Sequence, residues 1–136
     1  MTDCIFCKIA KKEIPSNIVY EDSSTLAFLD NTPASLGHTL IIPKSHYPIL
    51  NEMSEKDLKS LILTVQKISR SISELSEGYN LIQNNKEAAG QLVHHVHFHI
   101  VPRNKGDKIN WNRPNPKFSE EEVRRMIKKT KSNLNL

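Results

Sequence analysis

Gly90-Gln91-Leu92-Val93-His94-His95-Val96-His97-Phe98-His99-Ile100-Val101-Pro102-Arg103 holds four of the chain's six histidines. His95, His97 and His99 alternate with Val96, Phe98 and Ile100. A period of two is the period of a β-strand, so three imidazoles fall on one face and three apolar side chains on the other. The apolar face reads as core. The opposite face offers nitrogens that can bind a metal or attack phosphorus or a carbonyl. Gly90 at the entry allows close backbone approach, and Gln91 adds a side-chain amide beside the histidines.

Working outward, residues 18–21 and 26–29 are short strands joined by the polar turn Asp22-Ser23-Ser24, a hairpin. The loop from Asp30 to His38 carries Pro33 and Gly37, and a further strand spans 39–42, ended by Pro43. Ser54 caps a helix, with Asp57 in its acidic first turn and Met53 and Leu58 as a hydrophobic staple. Leu58, Leu61, Ile62, Val65, Ile68, Ile72 and Leu75 recur at helical spacing, and Gly78 is its terminator. Residues 79–83 form a fourth strand, and the histidine strand is the fifth. Residues 107–117, with Trp111, read as irregular. Ser119 and Glu122 form a capping box with Phe118 and Val123 as staple, for a helix to about residue 129 before a frayed end. The fold class expected is α+β: a five-stranded, largely antiparallel sheet with one long packed helix and a C-terminal helix.

The 136 residues suit one domain, spanning 1–136, and 38% hydrophobic content supplies a modest core. Nothing is long enough to cross a bilayer, and no secretory signal is visible, so a soluble cytoplasmic protein without membrane partners is expected. The net charge of +4 is mild. Arg124, Arg125, Lys128, Lys129 and Lys131 follow Glu120, Glu121 and Glu122, as the helix dipole favours, without interleaved aromatics. Nucleic acid is therefore not an expected partner. Cys4 and Cys7 are the only cysteines. Their spacing reads as metal or redox, half of a zinc site whose other donors His46 and the triad could supply. His38 is open between a phosphate or metal contact and a loop role. Asp30 is open between a turn residue and a ligand for a sugar diol.

Together these residues resemble the histidine triad family of nucleotide hydrolases and transferases. The carriers are His95-Val96-His97-Phe98-His99-Ile100-Val101, Cys4-Ile5-Phe6-Cys7, Ala27-Phe28-Leu29-Asp30, Gly37-His38-Thr39-Leu40-Ile41-Ile42-Pro43-Lys44, His46, and Asn84 with Gly90-Gln91. They cover residues 4–103, leaving 104–136 as a variable C-terminal segment. The resemblance implies that His97 is the nucleophile toward the α-phosphorus of a purine nucleotide, forming a nucleotidyl-histidine that water resolves. It implies that His99 and His38 contact phosphate, and that Gln91 lies near the transferring phosphorus. The backbone carbonyl of His95 orients His97. Asp30 binds ribose, Phe6, Ile9 and Phe28 wall the base, and Asn84 lies near phosphate.

The resemblance further implies one structural Zn²⁺ per subunit on Cys4, Cys7, His46 and His95, no organic cofactor, and a homodimer joined through its sheets. The substrates implied are adenosine phosphoramidates or dinucleoside polyphosphates. The alternatives are nucleotidyl transfer to phosphate, or a nucleotide-binding scaffold of low activity. Leu92 departs from the serine or threonine common in relatives and cannot donate their hydrogen bond. His94 points off the catalytic face in this reading.

Overall fold

The structure is a computed structural model that describes residues 3–110 and 116–134. Trp111 and the expected frayed end beyond residue 134 lie outside the described residues. In chain order the elements are α1 (Ile5–Ala10), β1 (Ile18–Glu21), β2 (Thr25–Leu29), β3 (Thr39–Pro43), α2 (Glu55–Ser73), β4 (Gly78–Ile82), β5 (Phe98–Arg103) and α3 (Glu120–Ser132). The five strands form one antiparallel sheet in the order β1-β2-β3-β5-β4. Helix α2 connects β3 to β4, and the chain then returns through β5 between them. Among the described residues, no helix is long and apolar enough to cross a membrane.

Strand alternation divides the core into two layers. Ala27, Leu29, Ile41, Val96 and Ile100 face α2, where Leu61, Val65, Ile68 and Ile72 complete the larger cluster. Leu26, Phe28, Leu40 and Ile42 point the other way and meet Phe6 and Ile9 of α1. Two turn networks fix the ends. Asp22 accepts from the Ser24 and Thr25 amides at 2.9 and 2.8 Å, closing the β1–β2 hairpin. The Ser54 and Ser119 hydroxyls cap α2 and α3 at Asp57 and Glu122, both at 3.1 Å, and Ser119 completes its capping box.

Four expectations need correction. Helix α2 stops at Ser73, before Leu75 and Gly78. The Ser76 hydroxyl donates to the Ile72 carbonyl at 2.9 Å, and the Glu74 and Leu75 amides tighten the last turn onto Ser71 and Ile72. Gly78 instead opens β4. Helix α3 runs three residues past the expected end at 129. Helix α1, six residues long, was not anticipated. Finally, the histidine strand begins at Phe98, not at His95. The ladder to β3 would bring Pro43 beside Val96, but proline has no N–H to donate. The Pro43 carbonyl takes the His95 ring at 2.8 Å, and the Val96 amide turns to the Tyr47 carbonyl at 2.7 Å. The segregation of faces nevertheless persists through the irregular segment: Val96 and Ile100 are fully buried toward α2.

Candidate active site and metal centre

A cavity of about 700 Å³ opens on the α1 side of the sheet. Phe6, Ile9, Phe28, Asp30, His38, Asn84, His97 and His99 all line it. Eight of the sequence-nominated positions thus meet in one place, although they come from α1, β2, the 30–38 loop, the 84–90 loop, the approach to β5 and β5 itself. Phe6 packs edge-on against both Phe28 and His97, with ring centroids 5.6 and 5.0 Å away.

The hydrogen bonds assign the tautomers. His97 Nδ1–H donates to the His95 carbonyl at 2.7 Å. Its Nε2 therefore carries a lone pair, as a nucleophile requires. The Ala34 amide donates to His38 Nδ1 at 3.0 Å, so the proton of His38 sits on Nε2. His38 Nε2–H in turn faces His99 Nδ1 at 2.9 Å. That leaves the N–H of His99 on Nε2, a donor suited to an anion's oxygen. Both ring nitrogens of His38 thus have protein partners, and His38 also lines the cavity. Burial drives His97 and His38 below the ordinary imidazole range. Burial, reinforced by His97 and His38, pushes His99 down to about 4. All three are neutral at pH 7, which keeps the attacking lone pair available.

Asp30 is held in a turn, its Oδ1 accepting from the Thr32 amide at 2.9 Å, while Oδ2 lies 3.5 Å from His38 Nε2. Gln91 stands between Gly90 and Leu92 of the cavity lining. It is buried, its Oε1 accepts from the Lys86 amide at 2.6 Å, and its Nε2 donates to the Pro48 carbonyl at 2.7 Å. It does not line the cavity. Its amide joins two backbone groups from separate loops. Leu40, Ile5, Asn31 and Val93 line the cavity without having been nominated. Their residue types carry no chemical signal, and only the fold reveals them.

A second cluster lies behind His97. Cys4 Sγ is 3.3 Å from His95 Nδ1, Cys7 Sγ is 3.3 Å from His46 Nδ1 and 3.6 Å from His95 Nδ1, and the two Nδ1 atoms are 3.2 Å apart. All four donor atoms fall within 4.8 Å of one another. A tetrahedral Zn²⁺ with ordinary Zn–S and Zn–N bonds has ligand–ligand edges of about 3.3 to 3.8 Å. The donor set therefore fits in both chemistry and spacing. The tautomer fits as well: His95 Nε2–H donates to Pro43, which turns a bare Nδ1 toward the thiols. Burial pushes the Cys7 thiol up and the His46 and His95 imidazoles down, His95 to about 4. A dication there would favour the thiolates.

A model of the HIT domain matches residues 11–106. The chain belongs to the HIT family. It is 50% identical over 105 residues to an uncharacterised HIT-like protein of Methanocaldococcus jannaschii, covering 76% of this chain and 81% of that one. It is 41% identical over 124 residues to adenosine 5'-monophosphoramidase hnt1 of Schizosaccharomyces pombe, covering 89% and 90%. Among solved structures, a Zn-bound histidine triad family protein from Mycobacterium smegmatis superposes with a TM-score of 0.86 at 32% identity, covering 98% and 94%. The HIT-family fold named by the resemblance is thus the fold of this chain, five-stranded antiparallel sheet included.

Proposed function

We propose that this HIT-family protein is a hydrolase of purine nucleotide conjugates, cleaving at the α-phosphate through a nucleotidyl-His97 intermediate. The observation that carries the reading is the tautomer pair: a lone pair on His97 Nε2 beside an N–H on His99 Nε2. In the first step the His97 lone pair forms a bond to phosphorus while the bond to the leaving group breaks. The leaving group departs with the bonding pair and takes up a proton. In the second step water attacks phosphorus, the P–N bond breaks, and the mononucleotide leaves with His97 neutral again. His99 donates to the equatorial oxygens, whose charge is greatest in the transition state. Asn84 adds an amide near phosphate. Asp30 accepts the ribose hydroxyls, and Phe6, Ile9 and Phe28 sandwich the base. Similarity to the Schizosaccharomyces pombe adenosine 5'-monophosphoramidase supports an adenosine phosphoramidate as substrate.

Cys4, Cys7, His46 and His95 hold one structural Zn²⁺ per subunit in this reading, supported by the donor spacing and by the Zn-bound relative. The protein pairs as a homodimer through its sheet, and residues 1–136 act as one domain. The test is incubation with adenosine 5'-phosphoramidate in phosphate-free buffer. AMP should appear, and acid-quenched mass spectrometry should find the adenylyl group on wild type but not on His97→Ala. The variant should lose at least about three orders of magnitude in kcat. ADP formed only on adding phosphate would transfer the assignment to a phosphorylase. Neither product nor adduct would leave a binding protein.

A further inference from the structure

The Cys4–Cys7 spacing suits redox chemistry as well as a metal, and zinc binding uses only the second of these. The two are the only cysteines of the chain, and both are free thiols. They stand three residues apart in the first turn of α1, which puts their Cα atoms about 5 Å apart, within the span of a disulfide. Their Sγ atoms lie within 4.8 Å of each other and converge on one atom, His95 Nδ1, at 3.3 and 3.6 Å. Side-chain rotation is the motion that closes such a gap. The two sulfurs differ in access. Cys7 is buried, whereas Cys4 is half-buried and, with His46, lines a recess of about 450 Å³. A small oxidant entering that recess meets Cys4 first, with Cys7 behind it. A reversible thiol switch needs this order: one accessible sulfur to be oxidised and one sheltered sulfur to resolve it.

We propose that Cys4 and Cys7 are a peroxide-sensitive modification site, whose disulfide expels the Zn²⁺ and loosens the nucleotide cavity. This inference rests on the zinc reading above. The Cys4 thiolate attacks one oxygen of hydrogen peroxide. The S–O bond forms, the O–O bond breaks, and hydroxide leaves and is protonated to water. The Cys7 thiolate then attacks the Cys4 sulfur. The S–S bond forms, the S–O bond breaks, and a second hydroxide leaves as water. The sulfurs give up two electrons, the peroxide takes them, and solvent supplies two protons. Neither sulfur is then a thiolate, so only His46 and His95 remain as ligands, too few for a structural zinc. The change reaches the cavity by two short routes. Phe6 lies between the cysteines in sequence and packs on His97 with ring centroids 5.0 Å apart. His95 loses the ion on its ring while its carbonyl holds His97 Nδ1–H.

The experiment treats zinc-loaded wild type with a few equivalents of hydrogen peroxide beside a chromogenic zinc chelator, with an untreated sample as background. Zinc should appear in the chelator at the rate at which both thiols disappear. The intact mass should be that of a single chain, lighter by two hydrogens. Calorimetric titration should find AMP bound about tenfold more weakly. Dithiothreitol with added Zn²⁺ should restore thiols, metal and AMP affinity together. Because the chain has no other cysteine, an intramolecular disulfide can only be this one. Thiols that survive the peroxide, a mass gain from sulfinic acid, or a disulfide that joins two chains each overturn the switch. So does zinc that stays bound in the oxidised protein, or an AMP affinity that oxidation leaves unchanged. Zinc content before oxidation tests the metal reading by itself: protein that takes up no zinc overturns both, whereas full zinc with inert thiols overturns the switch alone. Turnover enters none of these measurements, so the hydrolase reading is tested separately.

Discussion

Lys86 adopts φ 71° and ψ 160°, a conformation that glycine alone enters without strain. Gln91 supplies the constraint that keeps it there. The Gln91 Oε1 holds the Lys86 amide, its Nε2 holds the Pro48 carbonyl, and its own amide returns to the Lys86 carbonyl at 3.1 Å. The clamp shapes the 84–90 loop, which brings Asn84 and Gly90 to the cavity wall. Gln91 thus ties the shape of this loop to the Pro48 segment. Replacing it by leucine strips two part-buried backbone groups of their partners and should cost about 1 to 3 kcal/mol. Lys86→Gly releases the strain and should stabilise by about 1 kcal/mol after glycine's extra unfolded-state entropy is deducted. In the Gln91→Leu background the gain from Lys86→Gly should change, because the Gln91 side chain holds the Lys86 amide. Urea midpoints of the four proteins give the coupling. Strictly additive midpoints would separate the strain from the clamp and refute this account of Gln91.

At the scale of elements, what could be read beforehand depended on whether a pattern was local. The caps at Ser54 and Ser119 and the Asp22 turn are local, and they stand where their residue types put them. The alternation through Val96, Phe98 and Ile100 gave the right faces but the wrong strand start, because the limit comes from Pro43, over fifty residues away in sequence. Helix α1 is too short for its period to register, and the Cys4 Sγ that caps it at the Cys7 amide, 3.4 Å away, belongs to a spacing that reads as metal or redox and not as a cap. The tight seat of α3 was equally hidden: a Cβ on Gly37, where φ is +92°, would overlap Met126, so the His38 loop and α3 pack backbone to side chain. The sheet edges lead to a prediction. Helix α3 packs against β1 at one edge, whereas β4 forms the other edge with Tyr79 and Leu81 40% and 46% exposed. An apolar, unpaired edge invites a second copy to extend the sheet. Sedimentation should read two chains for wild type and one for Leu81→Lys, whose charge opposes pairing. A single-chain mass for wild type at micromolar concentration would refute the dimer.

The whole molecule gathers its site from distant segments, and the four-donor cluster is where those segments cross. Cys4 and Cys7 come from α1, His46 from the link between β3 and α2, and His95 from the approach to β5. Helix α1 carries Phe6, which touches His95 at 5.9 Å and His97 at 5.0 Å between ring centroids, and Ile9 of the base wall. A metal on the four donors would therefore brace His97, the proposed nucleophile, and the proposed base wall at once. Its removal leaves four donor atoms within 4.8 Å of one another with no ion to hold them, the two Nδ1 atoms 3.2 Å apart. Relaxation of the His95 ring would act on the His95 carbonyl, which accepts from His97 Nδ1–H. Metal analysis of protein never exposed to chelator should give close to one zinc per chain. Chelation should lower the melting temperature by several degrees and weaken AMP binding by about tenfold, since the pocket loses its brace before it loses any residue that touches nucleotide. Cys4→Ser should reproduce both effects in part, because a serine hydroxyl is a poor zinc ligand. His99→Ala should weaken AMP binding while leaving zinc content unchanged. A chelated protein that melts and binds AMP like the original would uncouple the cluster from the site and reduce Cys4, Cys7, His46 and His95 to a packing arrangement.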